Sequence, residues 1–516
     1  MSIDRIYTRW PSVEGYCDQQ SYAAGELVAV CCADRSGGFR ATVTRVGGER
    51  KVLWTSGPLE AADHPVPDDA WSMGCDWPAA FTIRTEASWQ SGFYEIEFQS
   101  DEPGPRSLSH AFFVVRARTG EPSNRTLLVL ATNTYNAYNQ WGGRCMYSGA
   151  PQLSFARPTE RGFHARPAAP FDVDFDGRLT NTEDPSDPEH QRLVDYQIAN
   201  DLPMLTGSSG WHNWERRFVR WAEQAGFGFD MAANIDLDVR PEILDHYDVL
   251  LSVGHDEYWS SGMRDTVDAW VQSGGRWAIF SGNTAFWQVR YEDDGRTMVC
   301  HKGAARFTDP VRDNKPHLLT SMWSDPLIGR PETSTTGLTF TQGGYHRIGG
   351  ALPNGTGDYE VHQPDHWVFA GTGLSEGERL GTGSFIVGYE VDGCALQEVA
   401  GRPVPTHEDG APESLEVLAT APARLISITD DVCEAPVALW ASVDPPGDLE
   451  GVAMTLFGDT SPENVAKIAN GHAVMGYFTR GKGNVFNAGS VDWSYGLDTD
   501  EVVQQVTANV LRHFGV

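Results

Sequence analysis

Between residues 255 and 283 the chain sets an imidazole, two carboxylates and a carboxamide just beyond apolar runs. His255, Asp256 and Glu257 follow Val249-Leu250-Leu251-Ser252-Val253-Gly254, and Asn283 follows Trp277-Ala278-Ile279-Phe280-Ser281-Gly282. Groups of these types move protons, activate a nucleophile or hold a cation. Glu390 and Asp392 end the run 384–393, and being two apart they fall on one side of an extended strand. Residues 133–147 add phenols, among them Tyr135, Tyr138 and Tyr147. Strand ends are ordinarily polar and loop tyrosines ordinarily pack or wall a pocket, so each group taken singly has a plain reading beside the chemical one.

The elements that would position these groups are legible from periodicity. Val249 to Val253 is a continuous apolar run, as in a strand buried on both faces of a parallel sheet. Met263, Val267, Trp270 and Val271 recur at helical spacing, Gly274-Gly275 stops that helix, and Trp277 to Phe280 forms the next strand, which makes a βαβ unit. Ligands bind beyond the carboxyl ends of strands in such sheets, so His255, Asp256, Glu257 and Asn283 are expected at one edge. The run 126–131 is a further buried strand that delivers Tyr138 and Tyr147 to the same edge. Trp214, Phe218, Trp221 and Ala225 mark a helix face, and 228–231 a short strand. Val502, Val506, Val510 and Phe514 mark a closing helix.

Other stretches read differently. Residues 25–116 carry short alternating runs separated by Gly, Pro and Asp clusters, the pattern of a β-sandwich. Residues 118–124 read as a linker. The Pro-, Asp- and Gly-rich segment 158–190 reads as a long loop or lid. Beyond Arg290 the periodicity is lost until about 459, as in a β-rich insertion. The expected fold class is therefore α/β: an Ig-like β-sandwich over residues 1–118, then an open parallel-sheet domain over 124–516 with a β-rich insertion at about 291–459.

A chain of 516 residues is too long for one ordinary core. The balance of 70 acidic against 39 basic residues, a formal charge of −31, argues against nucleic acid or an anionic membrane as partner. Without an apolar span or an N-terminal apolar core, a cytoplasmic location is expected. The 8 cysteines lack zinc-like spacing and are expected to be reduced and mostly buried.

Five pieces in order, Ala137-Tyr138-Asn139 followed by Tyr147, Gly254-His255-Asp256-Glu257-Tyr258-Trp259, Gly282-Asn283, Val387-Gly388-Tyr389-Glu390, and 487–493, give the chain its resemblance to the large subunit of the N,N-dimethylformamidase family. The resemblance implies a glutamine-amidotransferase-like α/β domain holding one iron, as Fe(III), through Tyr138, Tyr147 and Glu257. His255, Asn283 and Glu390 are then the supporting catalytic groups. It implies a small non-peptide amide as substrate and raises a homo-oligomer and a small companion subunit as partners. The chain departs from the formamidase at Asp256, where that enzyme has proline, and in a shorter loop between the two tyrosines. The donor set is chemically coherent, because two phenolates and a carboxylate suit a hard trivalent ion.

Three other readings stand beside the amidohydrolase. A cysteine nucleophile on the same fold lacks the residue, since no Cys or Ser follows the strand before Ser260. A glycoside hydrolase would pair Glu257 with Glu390 and use some of the 17 tryptophans to stack on sugars. A non-catalytic binding protein would keep the fold alone. Metal content separates the first reading from the rest.

Overall fold

A computed structural model describes residues 11–104, 106–118, 120–166, 195–196, 198–347, 355–430 and 448–516. Most of the expected loop, residues 167–190, lies outside these, as do 348–354 and 431–447 within the expected insertion.

The architecture is mixed α/β and is built on one nine-stranded sheet. Its order is Asp230–Ala233, Thr126–Leu130, Val249–His255, Arg276–Gly282, Gly483–Asn487, Gly471–Arg480, Glu416–Ala423, Tyr359–Val361 and Arg379–Leu380. The first five strands are parallel and the remaining pairings antiparallel. In chain order the parallel half reads 2-1-3-4-5. The chain therefore reverses its direction of travel across the sheet between Thr126–Leu130 and Val249–His255, and their carboxyl ends open a crevice there.

Alternation within the strands supplies two cores. Leu128, Leu130, Leu251, Val253 and Phe280 face one side, where Phe218, Val503, Val506 and Val510 pack on them. Leu127, Val129, Leu250 and Ile279 face the other, under Met263, Val267 and Val271. The helix Ser261–Ser273 starts where Ser260 Oγ accepts the Met263 N–H and ends at Gly274, whose φ of 132° suits glycine. The helix Glu501–Phe514 is capped by the Asp500 carboxylate, which accepts from the Val502 and Val503 N–H groups.

Ahead of this sheet, strands Val13–Cys17, Leu27–Asp34 and Ala79–Arg84 form a three-stranded sheet. Strands Ser21–Ala23, Leu108–Arg116, Gly92–Ser100, Phe39–Val46 and Arg50–Thr55 form a five-stranded one. Between the two sheets lie Val28, Val30, Ile83, Val43, Ile96, Phe98 and Phe113. The opposite face of the five-stranded sheet joins the main core: Phe93 stacks on Trp211 with ring centroids 4.2 Å apart and planes 5° from parallel. Ser91 Oγ also accepts from the Met231 N–H at 2.7 Å and is 2.8 Å from the Val115 carbonyl to which it donates.

Two local expectations shift. Glu390 opens the strand Glu390–Gly393 rather than closing a longer one, and 384–389 is not strand. The Gly388 backbone lies against the Asp492 side chain, and its N–H donates to Ser490 Oγ at 3.2 Å rather than to a neighbouring strand. Within the stretch 291–459, strands Tyr359–Val361, Arg379–Leu380 and Glu416–Ala423 continue the main sheet. The seven described cysteines are buried free thiols. Among the described residues no helix is long and apolar enough to cross a membrane.

Candidate functional site

The crevice at the reversal point gathers Tyr138, Tyr147, His255, Glu257, Asn283 and Glu390. Tyr138 ends the helix Thr132–Tyr138, which leaves the strand Thr126–Leu130 after a single residue. Glu257 follows the neighbouring strand. Its backbone N–H donates to Thr134 Oγ1 at 3.0 Å, and Asn133 Nδ2 donates to the Tyr258 carbonyl at 2.8 Å, so the helix and the 255–258 turn are stitched together.

Two glycines allow the approach. Gly254 has φ of 80°, and a Cβ there would meet Trp214 Cβ at 2.6 Å. Trp214 is thereby seated edge-on to the His255 ring, 5.9 Å between centroids. At Gly282 a Cβ would fall 2.5 Å from Val491 N and 2.8 Å from the Glu390 carbonyl oxygen. Glycine here lets the strand Glu390–Gly393 reach Asn283, which itself takes the left-handed conformation (φ 48°) that asparagine tolerates.

One half of the site is a set of oxygens. Tyr147 Oη lies 2.8 and 3.0 Å from the two Glu257 oxygens, and Tyr258 Oη donates to Tyr147 Oη at 3.1 Å. The Tyr138 ring lies 4.3 Å from that of Tyr147, centroid to centroid. Tyr138 is fully buried, and its Oη makes no hydrogen bond among the described residues, although the Tyr389 hydroxyl is near enough to feel it. Burial first, and then the Glu257 charge, push both phenols well above the usual tyrosine range.

The other half handles protons. The His255 Nδ1–H donates to the Ser208 carbonyl at 2.8 Å, which fixes the ring. Its Nε2 lies 2.6 Å from Glu390 Oε2 and 3.3 Å from Glu257 Oε2, close ion-pair contacts without the alignment of a hydrogen bond. Burial alone would depress this imidazole, but the two carboxylates outweigh it and hold the ring well above its usual value. Burial would likewise raise Glu257, but His255, Lys302 and Tyr147 bring it below the normal carboxyl range. Asn283 Nδ2 donates to Glu390 Oε2 at 3.0 Å. Its Oδ1 is buried without a partner among the described residues.

Asp256 points elsewhere. Its Oδ1 accepts from Asn234 Nδ2 at 3.1 Å, and burial pushes its carboxyl up to about 6. Asp392 reaches the Thr284 N–H at 3.0 Å, one residue beyond Asn283, and burial raises it to about 7. Tyr135 is also turned away, donating to Glu215 Oε1 at 2.6 Å.

Lys302 was not a sequence candidate, yet its ammonium sits 3.3 Å from the Tyr147 ring centroid. The side chain is buried, and its Nζ has no hydrogen-bond partner among the described residues. A cation over the ring face is attracted by the π system, and its charge also favours ionised Glu257. No sequence signal pointed there, because Lys302 follows a three-residue strand, Thr297–Val299, in a stretch without periodicity. Tyr258, Tyr389 and Ser208 were likewise missed; Tyr258 and Tyr389 at least stand inside the motif pieces.

The model of the family described as N,N-dimethylformamidase beta subunit-like, C-terminal, matches residues 40–507. The chain belongs to that family. The match starts inside the strand Phe39–Val46 and so takes in most of the N-terminal sheets. No curated protein matches the chain. Among solved structures, a family 123 glycoside hydrolase from Clostridium perfringens is 8% identical, with 52% of this chain and 69% of that one covered, at a TM-score of 0.09. A likeness that slight carries no argument about fold or activity.

Proposed function

We propose that this chain hydrolyses a small non-peptide amide at a mononuclear iron, probed first with N,N-dimethylformamide. The observation that carries the reading is the meeting of two buried phenols and a carboxylate beside a fixed imidazole that touches a second carboxylate. The family membership supports it.

The residues fit the metal. Tyr138 Oη is a buried polar atom with no hydrogen bond among the described residues, and Tyr147 Oη shares the Glu257 carboxylate. Such an all-oxygen donor set favours a hard ion. Burial and the Glu257 charge keep both phenols protonated, and a cation reverses the second of these effects. Tyr138, Tyr147 and Glu257 would hold the ion, with Lys302 favouring ionised Glu257 from outside. Bound Fe(III) would supply Lewis acidity, polarising the amide carbonyl and acidifying water.

The chain's own groups supply the rest. Water adds to the amide carbonyl carbon and Glu390 takes its proton, His255 being held in its protonated form by the two carboxylates. The same pair returns a proton to the amine nitrogen as the C–N bond breaks, leaving a carboxylic acid and an amine. Ser208 keeps the imidazole aimed at Glu390. Asn283 anchors Glu390 through one N–H and has the second to offer the developing oxyanion. The burial of His255, Asn283 and Glu390 excludes bulk water, which strengthens each of these interactions.

The reading extends to organisation: residues 1–118 as an assembly and packing unit, and 124–516 as a glutamine-amidotransferase-like catalytic unit acting as a homo-oligomer with a small companion subunit. Native mass measurement tests the assembly. Against a paired-carboxylate glycosidase, Trp211, Trp214, Trp259, Trp277, Trp323 and Trp493 are fully buried and cannot stack on a sugar. Elemental analysis with a visible spectrum and an amine-release assay tests the main reading. One iron per chain, a broad phenolate-to-iron band and amine release are expected; a fully active metal-free preparation overturns it.

A further inference from the structure

Outside the strand-end crevice, the five-stranded sheet carries a second convergence of ligand-type groups. Glu97 and His110 are cross-strand partners, and Glu95 lies two residues from Glu97, so all three share one face of the strands Gly92–Ser100 and Leu108–Arg116. One ligand atom from each lies within 4.8 Å of the others. His110 Nε2 is 3.9 Å from Glu97 Oε2, too long for a hydrogen bond and close to the spacing of ligands around one ion.

The ion pair in this cluster leaves it incomplete. Arg50 Nη2 is 2.6 Å from Glu95 Oε1, yet Glu95 Oε2 has no partner among the described residues although the side chain is only 1% exposed. A buried acceptor left unmade costs about 1–3 kcal/mol. A second orphan stands beside it. His164 is buried with neither ring nitrogen hydrogen-bonded among the described residues, packs 4.6 Å from the Phe112 ring, and is near enough to His110 for their charges to interact.

We propose that Glu95 Oε2, Glu97 and His110 form a binding site for a divalent cation of the zinc class, with water completing the coordination. Two carboxylate oxygens and one imidazole nitrogen are a donor set that zinc accepts. Glu95 is held in place by Arg50, whereas Glu97, with 40% of its side chain exposed, is free to turn inward. Burial, aided by Arg161 and Arg50, outweighs the opposing pull of Glu95 and Glu97 and keeps His110 below the usual histidine range, which favours the neutral ring that a metal binds. The bound ion would cross-link two neighbouring nine-residue strands on the face turned toward the catalytic sheet, a stabilising role rather than a catalytic one.

The test uses the full-length chain stripped with chelator and titrated with Zn2+ by equilibrium dialysis, with Co2+ as a spectroscopic stand-in. The unaltered chain and Glu257→Ala should each take up an equivalent of Zn2+ that Glu97→Gln and His110→Gln lack. That equivalent should raise the melting temperature of the first two only, while amide hydrolysis survives in Glu97→Gln. Should His110→Gln fail to fold, Glu97→Gln decides, because its side chain is half exposed. Equal Zn2+ uptake and equal thermal shift in Glu97→Gln and the unaltered chain overturn the proposal. The outcome is independent of whether iron occupies the tyrosine site, since Glu257→Ala disables that site alone.

Discussion

The edge of the parallel strands and the mostly antiparallel five-stranded sheet both bury carboxylates and histidines, but they do so by different means. At the parallel edge the groups come from separate segments: Tyr138 ends a helix, Glu257 and Asn283 lie just beyond two strands, and Glu390 opens another strand. Their side chains meet only because the chain reverses direction there. In the five-stranded sheet, Glu95, Glu97 and His110 are neighbours by register on one antiparallel pair of strands, and alternate positions of those strands are already committed to the core between the sheets. Loops at a reversal point can change without disturbing a ladder, whereas residues on a ladder are tied to their partners. That difference supports the proposal of chemistry in the first region and cohesion in the second.

The largest effect expected is from Glu257→Ala, which removes a donor and should abolish both iron and turnover; retention of iron in this variant would break the comparison at its root. Tyr138→Phe and Tyr147→Phe keep nearly all the apolar volume and delete one oxygen. A packing role predicts only a small stability change. As donors, each should lose the visible band, bind iron more weakly and lose activity, and an unchanged spectrum in either variant reassigns that tyrosine to the wall.

Glu390→Gln sharpens the division of labour within the edge. It should keep iron and lose roughly 10³-fold in turnover, the range of a lost proton carrier, as read by steady-state assay beside metal analysis. Loss of the metal would move Glu390 among the donors.

Phe93→Ala tests the other region. Deleting a ring stacked on Trp211 should cost about 3 kcal/mol in denaturant unfolding, while the folded fraction turns over normally. If folded Phe93→Ala were inactive, the sheet would be part of the machinery. The smallest effect is at Asp309. Burial would raise its carboxyl, but Arg290 and then Thr320 bring it from 3.8 to about 2. The lowered value means that its contribution to stability is present above about pH 3.8 and is lost as pH falls through about 2. Asp309→Asn should flatten acid unfolding in that window, and a curve that keeps its slope there removes the role.

The sequence alone determined the parallel strands and their helices, because burial on two faces writes a continuous apolar run and a helix writes a 3.6-residue period. It also placed His255, Glu257 and Asn283 at strand ends, since a strand end is a local feature. The pairing of Glu390 with His255 and Asn283 is not local. It depends on the Gly282 backbone meeting the segment 490–491 and the strand Glu390–Gly393, a contact between stretches more than a hundred residues apart. Lys302 over Tyr147, the Ser208 carbonyl on His255 and the turning away of Asp256 and Tyr135 were likewise decided by packing. A sequence period reports which face of an element is buried, but not which neighbour covers it. Only the assembled sheet brought these side chains into one crevice.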